Sequence, residues 1–203
     1  MKLYGAPKPA PNPRRVRMFL AEKGIDLPET PVDMGKREHK SADYRQMNSL
    51  GQVPTLLLDD GTAISETVAI CRYFEEIQPE PSLFGRTAVE KANVDMWVRR
   101  VEFQLMSPVG NFWRHAHPYT AALLTQYKAF GESNREAYSN AQRWLDGELE
   151  TREFIAGDAF SMADICALST VDFAHWIGLD IDAERTNLTA WHERIKTRPS
   201  AQA

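Results

Sequence analysis

Asn48-Ser49-Leu50-Gly51-Gln52-Val53-Pro54-Thr55-Leu56 is followed, after one turn, by Ile64-Ser65-Glu66-Thr67-Val68-Ala69-Ile70-Cys71-Arg72-Tyr73. Between the two lies Asp59-Asp60-Gly61, a turn signal, so residues 55–58 and 62–64 read as the two strands of a hairpin. Val53-Pro54 stands at the entrance of the first strand, where a proline is common and, on base rates, cis in about 5–6% of X–Pro bonds. Glu66 and Thr67 open an apolar helix. The free N–H groups and dipole of such a first turn favour an anion. Each feature alone is weak, and their order and spacing carry the meaning.

Outward from this stretch the first eighty residues alternate. Lys2–Gly5 reads as a strand, 13–23 as a helix stopped by Gly24, 29–32 as a second strand and 42–47 as a short helix. Ala69, Ile70, Tyr73, Phe74 and Ile77 recur at helical spacing after the hairpin, giving the order β-α-β-α-β-β-α, closed by Gln78 to Pro81. Strand signals then stop. Residues 88–109 are helical with breaks expected at Pro108 and Gly110, and 121–152 are helical with an interruption at Gly131. Residues 161–174 are apolar nearly all round, as a helix buried in a bundle is, and 184–196 form a last helix.

Bulk properties narrow the function. With 203 residues, the chain can hold two small cores. The formal charge of -4 is spread evenly, which argues against nucleic acid or an anionic membrane as a partner, and no apolar run approaches a membrane span. Met1-Lys2-Leu3-Tyr4-Gly5 runs directly into folded-looking sequence, so a cytoplasmic location is expected. Cys71 and Cys166 are too few and too scattered for a disulfide framework or zinc site, and both read as packing residues. With five histidines in the chain, no metal is expected.

Taken together the motifs resemble the cytosolic glutathione transferases along essentially the whole chain. Residues 48–56 are similar to that family's N-P-x-G-x-V-P-x-L run, with Ser49 for proline, and 64–73 to its E-S-x-A-I-x-x-Y-L helix start, with Thr67 for serine. Glu38-His39-Lys40-Ser41 resembles the segment that meets the glycine end of glutathione in plant phi-class members. Phe154 to Asp158 with Ser161 to Ile165 resembles the family's buried capping-box helix, and the run from Trp191 to Arg198-Pro199-Ser200 fits its close. The chain is thus identified as a member, bacterial, with a phi/theta- or nu-like glutathione site. The resemblance implies a thioredoxin-like α/β domain over residues 1–78 that binds glutathione. It further implies an all-α helical bundle over 88–203 that holds the electrophile, and a homodimer. The apolar stripe Val94, Trp97 and Val101 on the first bundle helix is the candidate dimer surface, or equally core within the chain.

Glutathione as co-substrate then assigns roles. A cis Pro54 turns the Val53 backbone outward to pair with the cysteinyl residue like an added strand. Glu66 accepts from the γ-glutamyl ammonium, Thr67 offers hydroxyl and N–H to its carboxylate, Gln52 donates to the peptide, and His39 and Lys40 neutralise the glycine carboxylate. The competing readings are a plain helix cap for Glu66 and Thr67 and a solvated loop for His39 and Lys40.

The catalytic task is to hold the thiol as thiolate, because a free thiol titrates at about 8.5. Family members use a tyrosine, serine or cysteine after the first strand, whereas residues 6–13 here contain no hydroxyl and no thiol. Asn12, read as the N-cap before Pro13, is the best remaining donor, as in some nu-class members; otherwise backbone N–H groups near Ala10 or the Tyr4 hydroxyl remain. Trp113, Arg114, His115 and His117 by resemblance line the pocket for a small hydrophobic electrophile, or else form a packed aromatic cluster. The reaction implied is thiolate attack on that electrophile. Alternatives on the same fold are a glutathione-dependent disulfide reductase, dehalogenase or lyase, or a non-catalytic binding module.

Overall fold

The computed structural model describes all 203 residues, Met1–Ala203. They divide into two compact units, Met1–Leu83 with Pro199–Ala203, and Phe84–Arg198. The last five residues therefore belong with the first unit rather than with the helical one.

In the first unit a four-stranded sheet has the order β2-β1-β3-β4, with β1 Lys2–Gly5, β2 Glu29–Pro31, β3 Thr55–Leu57 and β4 Ala63–Ser65. β1 and β2 are parallel, joined across the helix α1 (Pro11–Lys23), while β3 runs antiparallel to both β1 and β4. Helices α2 (Ala42–Met47) and α3 (Thr67–Ile77) complete the unit, and α1 packs on α3. Leu3 and Leu56, opposite each other in the sheet, are buried, as are Val16, Phe19, Ile70 and Phe74 from the two helices. One buried polar knot locks this core. Lys23 Nζ pairs with Glu75 Oε2 at 2.5 Å and donates to the carbonyls of Gln78 (2.9 Å), Pro79 (3.1 Å) and Pro81 (2.6 Å). A lysine this deep is tolerable only because every donor meets an acceptor. The chain's last turn also packs on α1: Arg14 Nη2 donates to Ala201 O at 2.9 Å and Lys8 Nζ to Gln202 O at 2.6 Å.

The second unit is helical: α4 Ala88–Arg100, α5 Ser107–His115, α6 Lys128–Glu148, α7 Met162–Trp176 and α8 Thr186–Ile195. No helix is long and apolar enough to cross a membrane. Two expected breaks do not occur. Val101–Met106 is a π-helical turn that joins α4 to α5, and the helix continues through Pro108 to His115. Proline lacks an N–H and crowds the carbonyl four residues back; the wider π turn, in which Ser107 N–H bonds to Glu102 O, moves that crowded turn aside. Gly131 likewise does not interrupt α6. A Cβ there would lie 2.6 Å from Ala116 N and from His115 C, so the glycine lets α6 close against the end of α5. The stripe Val94, Trp97 and Val101 is core of its own unit, 6%, 2% and 0% exposed, so it is not a dimer surface.

Helix α7 is buried along almost its whole length because its start is anchored. Asp164, with no exposed surface, accepts from Ile155 N–H (3.0 Å), Ser161 N–H (3.1 Å) and Trp191 Nε1–H (2.9 Å), while Ser161 Oγ accepts from Ala163 N–H (3.3 Å). Burial lifts the Asp164 carboxyl to about 6, more than these hydrogen bonds lower it. Cys71 and Cys166 are buried side chains of α3 and α7.

Candidate glutathione and electrophile sites

The sheet register gathers the motif residues of the first unit. Tyr4 near the end of β1 pairs with Thr55 at the start of β3, and Thr55 pairs with Ser65 at the end of β4. The connection after β1, the Gln52-Val53-Pro54 turn and the Glu66-Thr67 helix start therefore leave the sheet at one end. The Val53–Pro54 bond is cis.

At α3, Glu66 is the N-cap residue with φ 72°, a conformation non-glycine residues seldom adopt, and no side chain caps the helix. Such a backbone persists only where its surroundings over-determine it, and it clusters at ligand sites. The helix's first N–H groups are thus left without a side-chain acceptor, with Thr67 buried at 6% exposure and Glu66 exposed.

The turn that carries Gln52 and Val53 is braced from three sides. The Gln52 carbonyl accepts from Tyr44 Oη (2.8 Å), Asn48 Nδ2 (3.0 Å) and, longer, Thr55 Oγ1 (3.4 Å). Tyr44 Oη and Thr55 Oγ1 lie 3.0 Å apart, and Asn48 Nδ2 also donates to Thr55 Oγ1 at 3.2 Å. Lys40 Nζ donates to the carbonyls of Leu50 (3.0 Å) and Gly51 (2.6 Å), so its ammonium is turned into the loop rather than outward. Gly51, at φ 56°, passes so close to His39 that a Cβ would sit 2.4 Å from the His39 carbonyl. These contacts bring His39, Lys40, Gln52 and Val53 together. His39 Nδ1 is buried and has no hydrogen-bond partner. Burial, and then the charges of Lys40, Arg37 and Arg45, pull the His39 ring below its ordinary value, which leaves it neutral at pH 7 among cations. Tyr44, Asn48 and Thr55 escaped sequence reading, although Asn48 lies inside the quoted run and Tyr44 precedes it by four residues.

Asn12 is not the N-cap. Helix α1 starts at Pro11, its cap residue is Ala10, and no side chain caps it, so the Asn12 side chain has no capping duty. Pro11 and Pro13 have no N–H, and the Ala10 N–H is taken by Pro7 O at 3.2 Å. Asn12, half-buried, is therefore the residue of that first turn with both a backbone N–H and a side-chain NH₂ to offer. Ala10 drops out as a backbone donor, and Tyr4 stands edge-on to Tyr44 at 6.3 Å between ring centroids.

In the helical unit the four residues expected to line an electrophile pocket, Trp113, Arg114, His115 and His117, separate. Trp113 centres an aromatic cluster: Tyr119 stacks on it at 5.4 Å and 20°, His117 lies at 4.7 Å, and Phe173 and Trp176 each at 5.5 Å. His117 Nδ1 accepts from Tyr119 N–H at 3.3 Å, and burial lowers the His117 pKa, so the ring is neutral. His115 belongs to a second group, between Tyr127 (5.7 Å) and Phe130 (5.5 Å), and Arg114 is exposed. Tyr119 and Trp176 remain 61% and 49% exposed, so the first cluster presents open ring faces. Phe173 and Trp176, at i and i+3 on α7, were the signal missed. A separate groove of about 780 Å³ runs between Phe103, Gln104, Ser107 and Asn111 on one side and Asn134 and Trp144 on the other, and none of those four expected residues lines it.

Known proteins resemble this chain along its whole length. Residues 10–77 match the family model for the glutathione S-transferase N-terminal domain and 112–199 that for the C-terminal domain. The chain is 36% identical to glutathione S-transferase 2 of Saccharomyces cerevisiae, over all of this chain and 88% of the yeast protein. The crystal structure of Gtt2 from Saccharomyces cerevisiae superposes with a TM-score of 0.93 at 35% identity, covering 100% of this chain and 99% of that one. A glutathione S-transferase domain-containing protein of Marinobacter aquaeolei VT8 does so with a TM-score of 0.92 at 37% identity, covering 98% and 99%. With both domain models matched and full-length relatives above 30% identity, the chain belongs to the cytosolic glutathione transferase superfamily and is a glutathione transferase.

Proposed function

We propose that the first unit binds glutathione at the end of its sheet. The γ-glutamyl carboxylate sits on the start of α3 against Thr67, with Glu66 accepting from the ammonium. Val53 pairs with the cysteinyl backbone, Gln52 donates to the peptide, and the glycine carboxylate faces His39, whose unpartnered Nδ1 suits it. Lys40 adds field rather than a direct contact, because its ammonium is held by the Leu50 and Gly51 carbonyls. The observation that carries the reading is the uncapped α3 start with Glu66 at positive φ, beside a braced Gln52-Val53 turn. At α1, Asn12 donates to the sulfur as the thiol releases its proton to solvent. The thiolate lone pair then forms a C–S bond with the electrophile as the leaving group departs with its bonding pair. The aromatic surface around Trp113, with His117 and the neighbouring Arg114 and His115, takes the hydrophobic electrophile.

Two variants test the division of labour. Thr67 meets an end of glutathione that does not react, so Thr67→Val removes a charged hydrogen bond of about 1.5–3 kcal/mol and raises the KM for glutathione about 10–150-fold, with the bound-thiol pKa unmoved. Asn12→Ala should do the reverse, raising that pKa and slowing turnover at neutral pH. A thiolate absorbance titration that is identical in wild type and Asn12→Ala sinks the Asn12 role. An assay panel of aryl halide, disulfide and epoxide separates transfer from reduction, a rival that the hydroxyl-free stretch 6–13 keeps in play. The protein acts as a cytoplasmic homodimer in this reading. Val89, Met96 and Phe103, exposed along the helix that starts with α4, replace the buried stripe as its apolar contact, and a monomer by light scattering at micromolar concentration removes the dimer.

A further inference from the structure

The knot under the Gln52 carbonyl does more than stabilise a loop. Tyr44, Asn48 and Thr55 are buried, 5%, 4% and 0% exposed, and their polar atoms close a ring. Asn48 Nδ2 donates one proton to Gln52 O (3.0 Å) and one to Thr55 Oγ1 (3.2 Å); the hydroxyl protons of Tyr44 and Thr55 are shared among Gln52 O (2.8 Å from Tyr44 Oη, 3.4 Å from Thr55 Oγ1) and the contact between the two hydroxyls (3.0 Å), in which either can donate. The count is complete, with two amide protons, two hydroxyl protons and an acceptor for each. Burial pushes the Tyr44 phenol above its ordinary value, so the donor stays protonated over the whole working range. The remaining atoms of Asn48 hold the other side of the loop: its Oδ1 accepts from Leu50 N–H (3.2 Å) and its carbonyl from Gly51 N–H (2.7 Å). The bonds that end on Gln52 O act on the peptide that precedes Val53, and the others hold the groups that make them.

We propose that Tyr44 and Thr55 are positioning residues for glutathione: by fixing the Gln52 carbonyl from beneath they set the orientation of the Val53 backbone that pairs with the cysteinyl residue. This rests on the glutathione reading given above. The mechanism is preorganisation. A loop with its carbonyl anchored is in the binding-competent form before the ligand arrives, and loosening it lowers affinity in proportion to the fraction that remains competent. Since the cysteinyl backbone does not react, the loss falls on ground state and transition state alike, and appears in KM rather than in kcat.

The test uses Tyr44→Phe and the pair Thr55→Val and Thr55→Ser in the full-length protein. Tyr44→Phe and Thr55→Val keep shape and remove a hydroxyl; Thr55→Ser keeps the hydroxyl. A neutral hydrogen bond contributes about 0.5–1.5 kcal/mol, so each of the first two should raise the glutathione KM and the calorimetric Kd roughly 2–13-fold with kcat nearly unchanged. Amide exchange at Leu50 to Val53 should quicken in the same variants. Thr55→Ser should return both readouts to wild type, which a purely volumetric role for the site would not predict. Wild-type KM in Tyr44→Phe and Thr55→Val overturns the proposal, as does a fall in kcat with KM unmoved, or a Thr55→Ser variant as impaired as Thr55→Val. Should wild type itself fail to bind glutathione in the calorimeter, the glutathione reading fails and this one with it; binding by wild type with unaffected variants removes this proposal alone.

Discussion

Replacing Asp164 with alanine should be among the costliest single truncations in the helical unit. The carboxylate has no solvent contact and serves three N–H donors, Ile155, Ser161 and the Trp191 indole, at 2.9–3.1 Å. Alanine leaves all three buried without acceptors. Each such group costs about 1–3 kcal/mol when nothing replaces its partner, and partial relaxation or an entering water recovers some of it. The expected net destabilisation is about 3–5 kcal/mol, a large share of the 5–15 kcal/mol that holds a typical domain. Urea unfolding followed by tryptophan fluorescence reads it directly, since Trp191 itself is a ligand of the carboxylate. At an m-value of roughly 2 kcal/mol/M the midpoint should fall by about 2 M. A shift under about 0.5 M at unchanged m would refute the idea that this carboxylate fastens the segment 154–164 and α8 to the start of α7.

The same carboxyl gives a pH signature. Burial raises it from 3.8 unfolded to about 6 folded, so the stability added by its protonation is fully present below pH 4 and is lost as pH rises through 6, about 3 kcal/mol in all, while the hydrogen bonds to the carboxylate remain. Wild type should therefore lose stability relative to Asp164→Asn between pH 4 and 6, and parallel profiles would contradict it. Gly131→Val should destabilise by about 1–3 kcal/mol, because its Cβ meets backbone atoms of His115 and Ala116 at 2.6 Å, and neither can step aside; a neutral thermal melt would show that α6 and α5 are not in such close contact.

Residues close in sequence announced most of the first unit. The Asp59-Asp60-Gly61 turn became the β3–β4 hairpin, and the apolar spacing from Ile70 to Phe74 became the buried face of α3, because turn chemistry and helical period are properties of a few adjacent residues. Ser161 and Asp164 were legible through the resemblance to the family's capping-box helix, a pattern confined to one turn of helix. Pro108 and Gly131 misled. As local signals they say break, and only the neighbouring turn or helix reveals a π turn that accommodates one and a close approach that requires the other.

By itself the sequence determined the two-part architecture, the order of elements and the family, since these rest on periodicity, turns and motifs repeated over the whole chain. Tertiary structure decided what each polar side chain is for. Lys40 and Asn12 show why: one reads as a ligand cation and turns out to brace two carbonyls of its own loop, while the other reads as a cap and lies inside the first turn with that duty removed. Lys23 and Tyr44 gave no local sign, and Thr55, though inside the run that decides the fold, gave none of its bracing role. A hydrogen-bonding group is committed by whichever partner burial leaves within about 3 Å, and residues distant in sequence supply that partner only once the chain has folded.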